Sequence, residues 1–282
     1  IFIPKLEITI PSATEEICMA YAYMYYNGNF YTAAQRVPLD ATNNLKGECV
    51  GDMQNMMQAY QMSDYYKNAT STGLPYLKEF MEEQAKKHPE TILGDREGKV
   101  YAINGYSTEF RLGYVEEDTN TIQVYERLND ITLEYGKDLY QDRLHVLDKM
   151  KTVEYQYHQD WDKGKEHFQS FQQVTEEEIT QFIQEMYEAK FVDATDKDVY
   201  NTQKKQAHLY VRMTDGTTVT LRLLEDGYVH YDGWSSRVFL QLDSALFKKI
   251  FEEATPDNYV YAYIDGEWRN TGNKFIDTSE SS

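Results

Sequence analysis

Cysteine and basic charge are scarce in this 282-residue chain, and each shortage excludes something. The two cysteines, Cys18 and Cys49, stand neither in a C-x-x-C pair nor beside a histidine, which argues against a thiolate metal site or a dithiol redox centre. Against 47 Asp+Glu there are only 28 Lys+Arg, a net charge of −19, and the densest basic runs are the dipeptides Lys86-Lys87 and Lys204-Lys205. A phosphate backbone or an anionic membrane surface repels such a chain, so nucleic acid is not an expected partner. No window approaches the roughly 18 consecutive apolar residues of a membrane span, and no stretch has the order of a secretory signal.

Catalytic signatures are missing in the same way. There is no H-E-x-x-H, no G-x-G-x-x-G and no Walker lysine. The string nearest a nucleophile elbow, Gly105-Tyr106-Ser107-Thr108-Glu109, lacks the second glycine that the sharp turn needs. Neither a catalytic residue nor a metal or cofactor is expected, and the chain reads as a non-enzyme.

What is present is a foldable composition. Hydrophobic residues make up 41% of the chain, enough for packed cores, and tyrosine is in excess, with 25 copies beside six prolines. Tyrosine suits strands, where its ring packs and its hydroxyl reaches water. A Cys18–Cys49 disulfide would close a loop of about 31 residues and stabilise by roughly 3–4 kcal/mol. The alternative is that Cys18, within the apolar run Ile17–Ala20, is simply a small buried residue.

Local signals place the elements. Asn27-Gly28 between the expected strand Ile17–Tyr26 and Phe30–Thr32 marks a β-hairpin, because both turn positions tolerate positive φ. Leu45–Val50 reads as a strand; Met53, Met56, Met57 and Tyr60 recur at helical spacing, and a helix opens at Pro75 and runs to Lys87. Strands follow at Lys99–Asn104, Glu109–Glu116 and Thr121–Leu128. Further on, Val153–His158 is a strand, and Thr175-Glu176-Glu177-Glu178 is a capping box opening a helix with Ile179, Phe182, Ile183 and Met186 on one face. Leu209–Met213 and Thr217–Leu223 flank the turn Thr214-Asp215-Gly216; Gly227–Tyr231 and Val238–Leu242 add strands, and Ser244 caps a closing helix. Tyr259–Ile264 reads as an edge strand. The pattern predicts an α+β fold of two small domains, 14–145 and 146–269, each an antiparallel sheet with one or two packed helices, then a flexible tail at 270–282. The boundary is expected near Asp142–Lys151, where Leu139–Met150 suits either a connecting helix or a strand pair.

Of the six histidines, His208 and His230 lie in predicted strands and could meet in space, although a solvent-facing strand position is the expectation for each. The acidic turn Asp193, Asp196, Asp198 lacks the glycine and distal glutamate of an EF-hand. Two features suit ligand or partner binding. One is the aromatic stripe Tyr21, Tyr23, Tyr25, for which packing in the core or on the sheet is the competing and commoner outcome; the other is the loop Asp232–Arg237, which offers Trp234 and Arg237.

Three stretches carry a resemblance: YAYMYYNGNFY at Tyr21–Tyr31, VYAINGYSTEFRL at Val100–Leu112 followed by Leu128–Thr132, and MTDGTTVTLRLLEDGYVHYDG at Met213–Gly233. Their order resembles uncharacterised extracytoplasmic domains of Gram-positive bacteria that follow a single membrane span in anti-sigma-factor-like proteins, or stand as lipoproteins. The resemblance implies a non-catalytic sensor or interaction domain on the cell surface of a Gram-positive bacterium. Its partner would be a protein or a cell-wall component, and its only membrane link an N-terminal anchor of which Ile1-Phe2-Ile3 would be the last residues. The alternative is a secreted or lipid-anchored surface protein that binds a ligand, or a hydrolase.

Overall fold

A computed structural model describes residues 1–5, 22–40, 44–68, 76–194, 205–233 and 238–255, and the backbone alone of 261–264 and 267–270. Residue contacts divide the chain into two compact units, Phe2–Thr132 and Leu133–Ser282 with Ile1.

The first unit contains β1 (Phe2–Ile3), β2 (Tyr23–Tyr26), β3 (Asn29–Pro38), β4 (Lys46–Asn55), α1 (Met56–Met62), α2 (Asp64–Lys67), α3 (Leu77–Lys87), β5 (Ile92–Gly94), β6 (Gly98–Ile103), β7 (Arg111–Glu116), β8 (Thr121–Glu126) and β9 (Ile131–Thr132). Strands β2-β3-β8-β7-β6-β4-β5 close into a barrel, while β1 and β9 pair separately. The turn at Asn27-Gly28 has both φ angles positive, 48° and 75°, as the hairpin signal requires. Each barrel strand contributes one residue to a single buried cluster: Met24, Tyr31, Met53, Ile92, Val100, Leu112 and Tyr125. A second cluster, with Val37, Leu45, Ile103, Ile122 and Val124, uses the opposite pleat of the same ribbon. The expected antiparallel sheet is therefore met in part: its strands close into a barrel, and one of the pairings is parallel. β5 pairs with β2 antiparallel but with β4 in parallel. Helices α1–α3 supply the long crossover that a parallel return needs.

The second unit contains α4 (Lys137–Tyr140), α5 (Val146–Lys149), β10 (Met150–Tyr157), α6 (His158–Asp162), β11 (Gln169–Ser170), α7 (Glu176–Glu188), β12 (Phe191–Asp193), β13 (Gln206–Met213), β14 (Thr218–Leu224), β15 (Tyr228–Tyr231), β16 (Val238–Gln241), α8 (Ala245–Ala254), β17 (Tyr261–Ile264) and β18 (Glu267–Asn270). Its main sheet runs β11-β10-β13-β14-β15-β16-β12, antiparallel throughout. The capping box forms as read: Thr175 Oγ1 accepts from the Glu178 amide, and Glu178 accepts from the Thr175 amide. Segment 139–150 resolves into α4 and α5, which pack on α7 and so belong to this unit. The division therefore falls at Thr132/Leu133 instead of near Asp142–Lys151. Tyr261–Ile264 forms a separate hairpin with β18 and does not edge the main sheet. The tail beyond Asn270 lies outside the described residues, as does Pro75. Among the described residues, no helix is long and apolar enough to cross a membrane.

Candidate functional site

The antiparallel register of the second unit sorts its side chains onto two faces. On β13, Ala207, Leu209, Val211 and Met213 alternate with Gln206, His208, Tyr210 and Arg212. The apolar set joins Val219, Leu221 and Leu223 of β14 in the core. The polar set lines up across four strands, where Gln156, His208, Arg222 and His230 are successive register partners.

That polar face is covered. As β10 ends, α6 turns across it and brings His158 and Trp161, one helical turn apart, down on the sheet. His158 Nδ1 lies 3.0 Å from His208 Nε2, with the two rings 11° from parallel. The Trp161 indole stacks on His208 with centroids 4.5 Å apart and on His158 at 5.3 Å. The Arg222 guanidinium sits 4.8 Å from the same indole and pairs with Asp232 at 3.1 Å. Farther along, Phe168 lies 4.6 Å from the Arg212 guanidinium and edge-on to Tyr210. Gln156 ties the strap to the sheet: it accepts from the Tyr210 hydroxyl at 2.6 Å and donates to the Lys165 carbonyl.

The electrostatics follow from this burial. His158 is pushed down to about 4, first by burial and then by Arg222, with Asp162 opposing. His208 is pushed to about 2 by burial, Arg222 and His158. Both imidazoles are neutral at pH 7. The facing nitrogens share one proton, so the pair serves to hold α6 in place. Trp161 remains 36% exposed, and the indole has its His208 side fixed by stacking. Chemically this makes a rigid aromatic contact surface backed by a guanidinium and two neutral imidazoles.

The residues expected to bind are placed differently. Tyr23 and Tyr25 are 5% and 4% exposed and belong to the cluster that joins the barrel to α1 and α3 through Met56, Tyr60, Leu77 and Phe80. Of the two readings of the stripe, burial under those helices gives core packing for Tyr23 and Tyr25 in place of a binding surface. Tyr21, Trp234 and Arg237 lie outside the described residues, as does Cys18, while Cys49 is an exposed thiol on β4. Asp196 and Asp198 are likewise outside. His208 and His230 are not solvent-facing: they are 0% and 3% exposed. Nor do they meet, because Arg222 stands between them in the register and holds them two strand spacings apart, roughly 9–10 Å. The residues that sequence reasoning missed are His158 and Trp161; their signal is a tryptophan three residues beyond a histidine, in the polar stretch that follows a strand.

Among the described residues, no three His, Cys, Asp or Glu side chains are grouped so as to hold a metal ion. No family model, curated protein or solved structure matches this chain.

Proposed function

We propose that the protein is a non-catalytic interaction domain that works outside the cytoplasm of a Gram-positive bacterium, as part of a membrane-anchored regulatory protein of anti-sigma-factor type. In this reading the two compact units are two domains. The observation that carries it is the Trp161 stack: an indole locked on His208 while still 36% exposed. A pre-ordered aromatic face loses little entropy on contact, which suits recognition of a sugar ring or an extended wall polymer. The hydrogen-bonding capacity around it is directed inward: Arg222 to Asp232, Tyr210 to Gln156, and His208 to His158. That arrangement supports binding more than turnover. The resemblance carried by the hairpin and strand motifs is what supports this location.

The test is a titration with solubilised cell-wall glycopeptides, read by tryptophan emission and by mass spectrometry of the fragments. A saturable change in emission that Trp161→Ala removes, with fragments left intact, supports the proposal. Equal binding by the variant, or cleavage of the fragments, defeats it.

A further inference from the structure

The first unit carries a groove that is independent of the Trp161 surface. It holds about 580 Å³ and lies between the end of β4, the outer side of α1 and the turn into β6. Its walls are held firmly. Asn55 caps α1 by accepting from the Gln58 amide at 3.0 Å, and its own amide donates to the Asp95 carbonyl at 3.2 Å. The Tyr114 hydroxyl donates to the Glu97 carbonyl at 3.0 Å and fixes the β6 turn. At Gly98 a Cβ would come 2.6 Å from the Tyr114 ring, so that turn approaches as closely as only glycine allows.

Two properties of the lining identify an occupant. The first is charge. Asp52 and Glu97 both line the groove and no lysine or arginine does. Register pairs Asp52 with Lys99 and Met53 with Gly98, and Glu97 immediately precedes that strand, so the two exposed carboxylates stand at the same end of the β4–β6 ladder and line one groove. An ammonium group entering the groove would meet both carboxylates and no competing cation among its lining residues. Lys99 faces Asp52 across the strands, yet makes no ion pair with it and stays exposed. The second property is the apolar wall of Ala59 and Met62, the latter 77% exposed on a helix whose buried residues are Met56 and Tyr60. An unbranched thioether adapts to an aliphatic chain lying along it.

We propose that this groove binds a basic peptide through a lysine-type side chain, with the ammonium group between Asp52 and Glu97 and the methylene stem along Met62 and Ala59. Long cationic side chains combine those two halves, a charged head and an apolar stem. The chain's overall acidity draws such a partner in, and the groove gives it one address.

A fluorescein-labelled tri-lysine peptide, its tri-norleucine counterpart and anisotropy at physiological salt test this. Tri-lysine is expected to bind saturably and tri-norleucine not to bind. The double variant Asp52→Asn/Glu97→Gln is expected to weaken binding about tenfold or more, the loss of charge-assisted hydrogen bonds. Met62→Ala should weaken it less, and Lys99→Ala should tighten it by removing a neighbouring cation. The control Glu48→Gln/Asp118→Asn takes the same charge from exposed positions elsewhere in this unit. If the control weakens binding as much as Asp52→Asn/Glu97→Gln, attraction is diffuse and the groove is not the site; equal binding of tri-norleucine also overturns the proposal.

Discussion

The hydrogen bond between His158 and His208 runs from His208 Nε2–H to His158 Nδ1. Two observations assign that direction: the nitrogens are 3.0 Å apart, and the buried Nδ1 of His208 has no hydrogen-bond partner. Were the shared proton on His158, the neutral His208 would carry its own proton on Nδ1, a buried donor with nothing to accept it. An unsatisfied acceptor is the cheaper defect, so the proton belongs to His208 Nε2.

Acid should therefore unfold this unit more steeply than a reference lacking the pair. His158 sits at about 4 and His208 at about 2 in the folded protein, below the ordinary 6.5. Between pH 6.5 and about 4 the unfolded chain takes up protons on both rings and the folded chain does not. Stability then falls as pH falls, by up to about 1.4 kcal/mol per pH unit for each histidine, and the loss continues toward pH 2 for His208. Above pH 7 the pair contributes no pH dependence. Urea denaturation at several pH values, on the wild type and on His158→Gln/His208→Gln, measures the difference; identical slopes would contradict it.

Deleting one ring separates packing from hydrogen bonding. His208→Ala removes the surface beneath Trp161 and leaves His158 Nδ1 unmatched, an expected cost of about 2–4 kcal/mol. His208→Gln keeps an amide N–H near the position of Nε2 and should recover a good part of that. Chemical denaturation midpoints read both. Equal losses would mean that the contact with Trp161 dominates and the hydrogen bond contributes little.

Local chemistry was legible because it depends on neighbours in sequence. Asn27-Gly28 specified its hairpin, Thr175 and Glu178 their reciprocal cap, and Phe182, Ile183 and Met186 the buried side of α7. Barrel closure was hidden because it rests on β2 pairing with β5 across more than sixty residues, a partnership no local pattern specifies. The histidine site was hidden for a related reason. Alternation on β13 shows that Gln206, His208, Tyr210 and Arg212 share a face, but the same pattern results whether that face meets water or a strap. Only the docking of Trp161 and Phe168 decides it.

In the barrel unit, Arg111 and Glu126 form a buried pair at 2.6 Å, 0% and 1% exposed, with Tyr106 and Phe110 against the guanidinium. Taking two charges from water costs several kcal/mol, and their attraction offsets this only while both are present. Arg111→Met alone strands the carboxylate and should cost about 3–5 kcal/mol. Arg111→Met/Glu126→Leu removes both charges and should return to within about 1 kcal/mol of the wild type. A double variant as unstable as the single one would show that the pair contributes net stability and is not merely self-compensating.

Two glycines of the second unit should fail for different reasons. At Gly136 an added Cβ would lie 1.8 Å from the Met186 carbonyl oxygen and 3.1 Å from Leu240, so the obstacle is steric contact between α4 and α7. Gly136→Ala should cost about 3 kcal/mol through forced separation of backbones. At Gly164 the same Cβ meets nothing within 4 Å, but φ is +63°. Gly164→Ala should cost only about 1–2 kcal/mol, the left-handed backbone penalty, and Gly164→Asn less again. Melting temperatures of the three variants give the ranking directly, at about 2–4 °C per kcal/mol for a protein of this size. Asparagine at 136 should help no more than alanine, because a side chain of any chemistry collides there; rescue by asparagine at both positions would place the strain at Gly136 in its backbone angles and not in the α4–α7 approach.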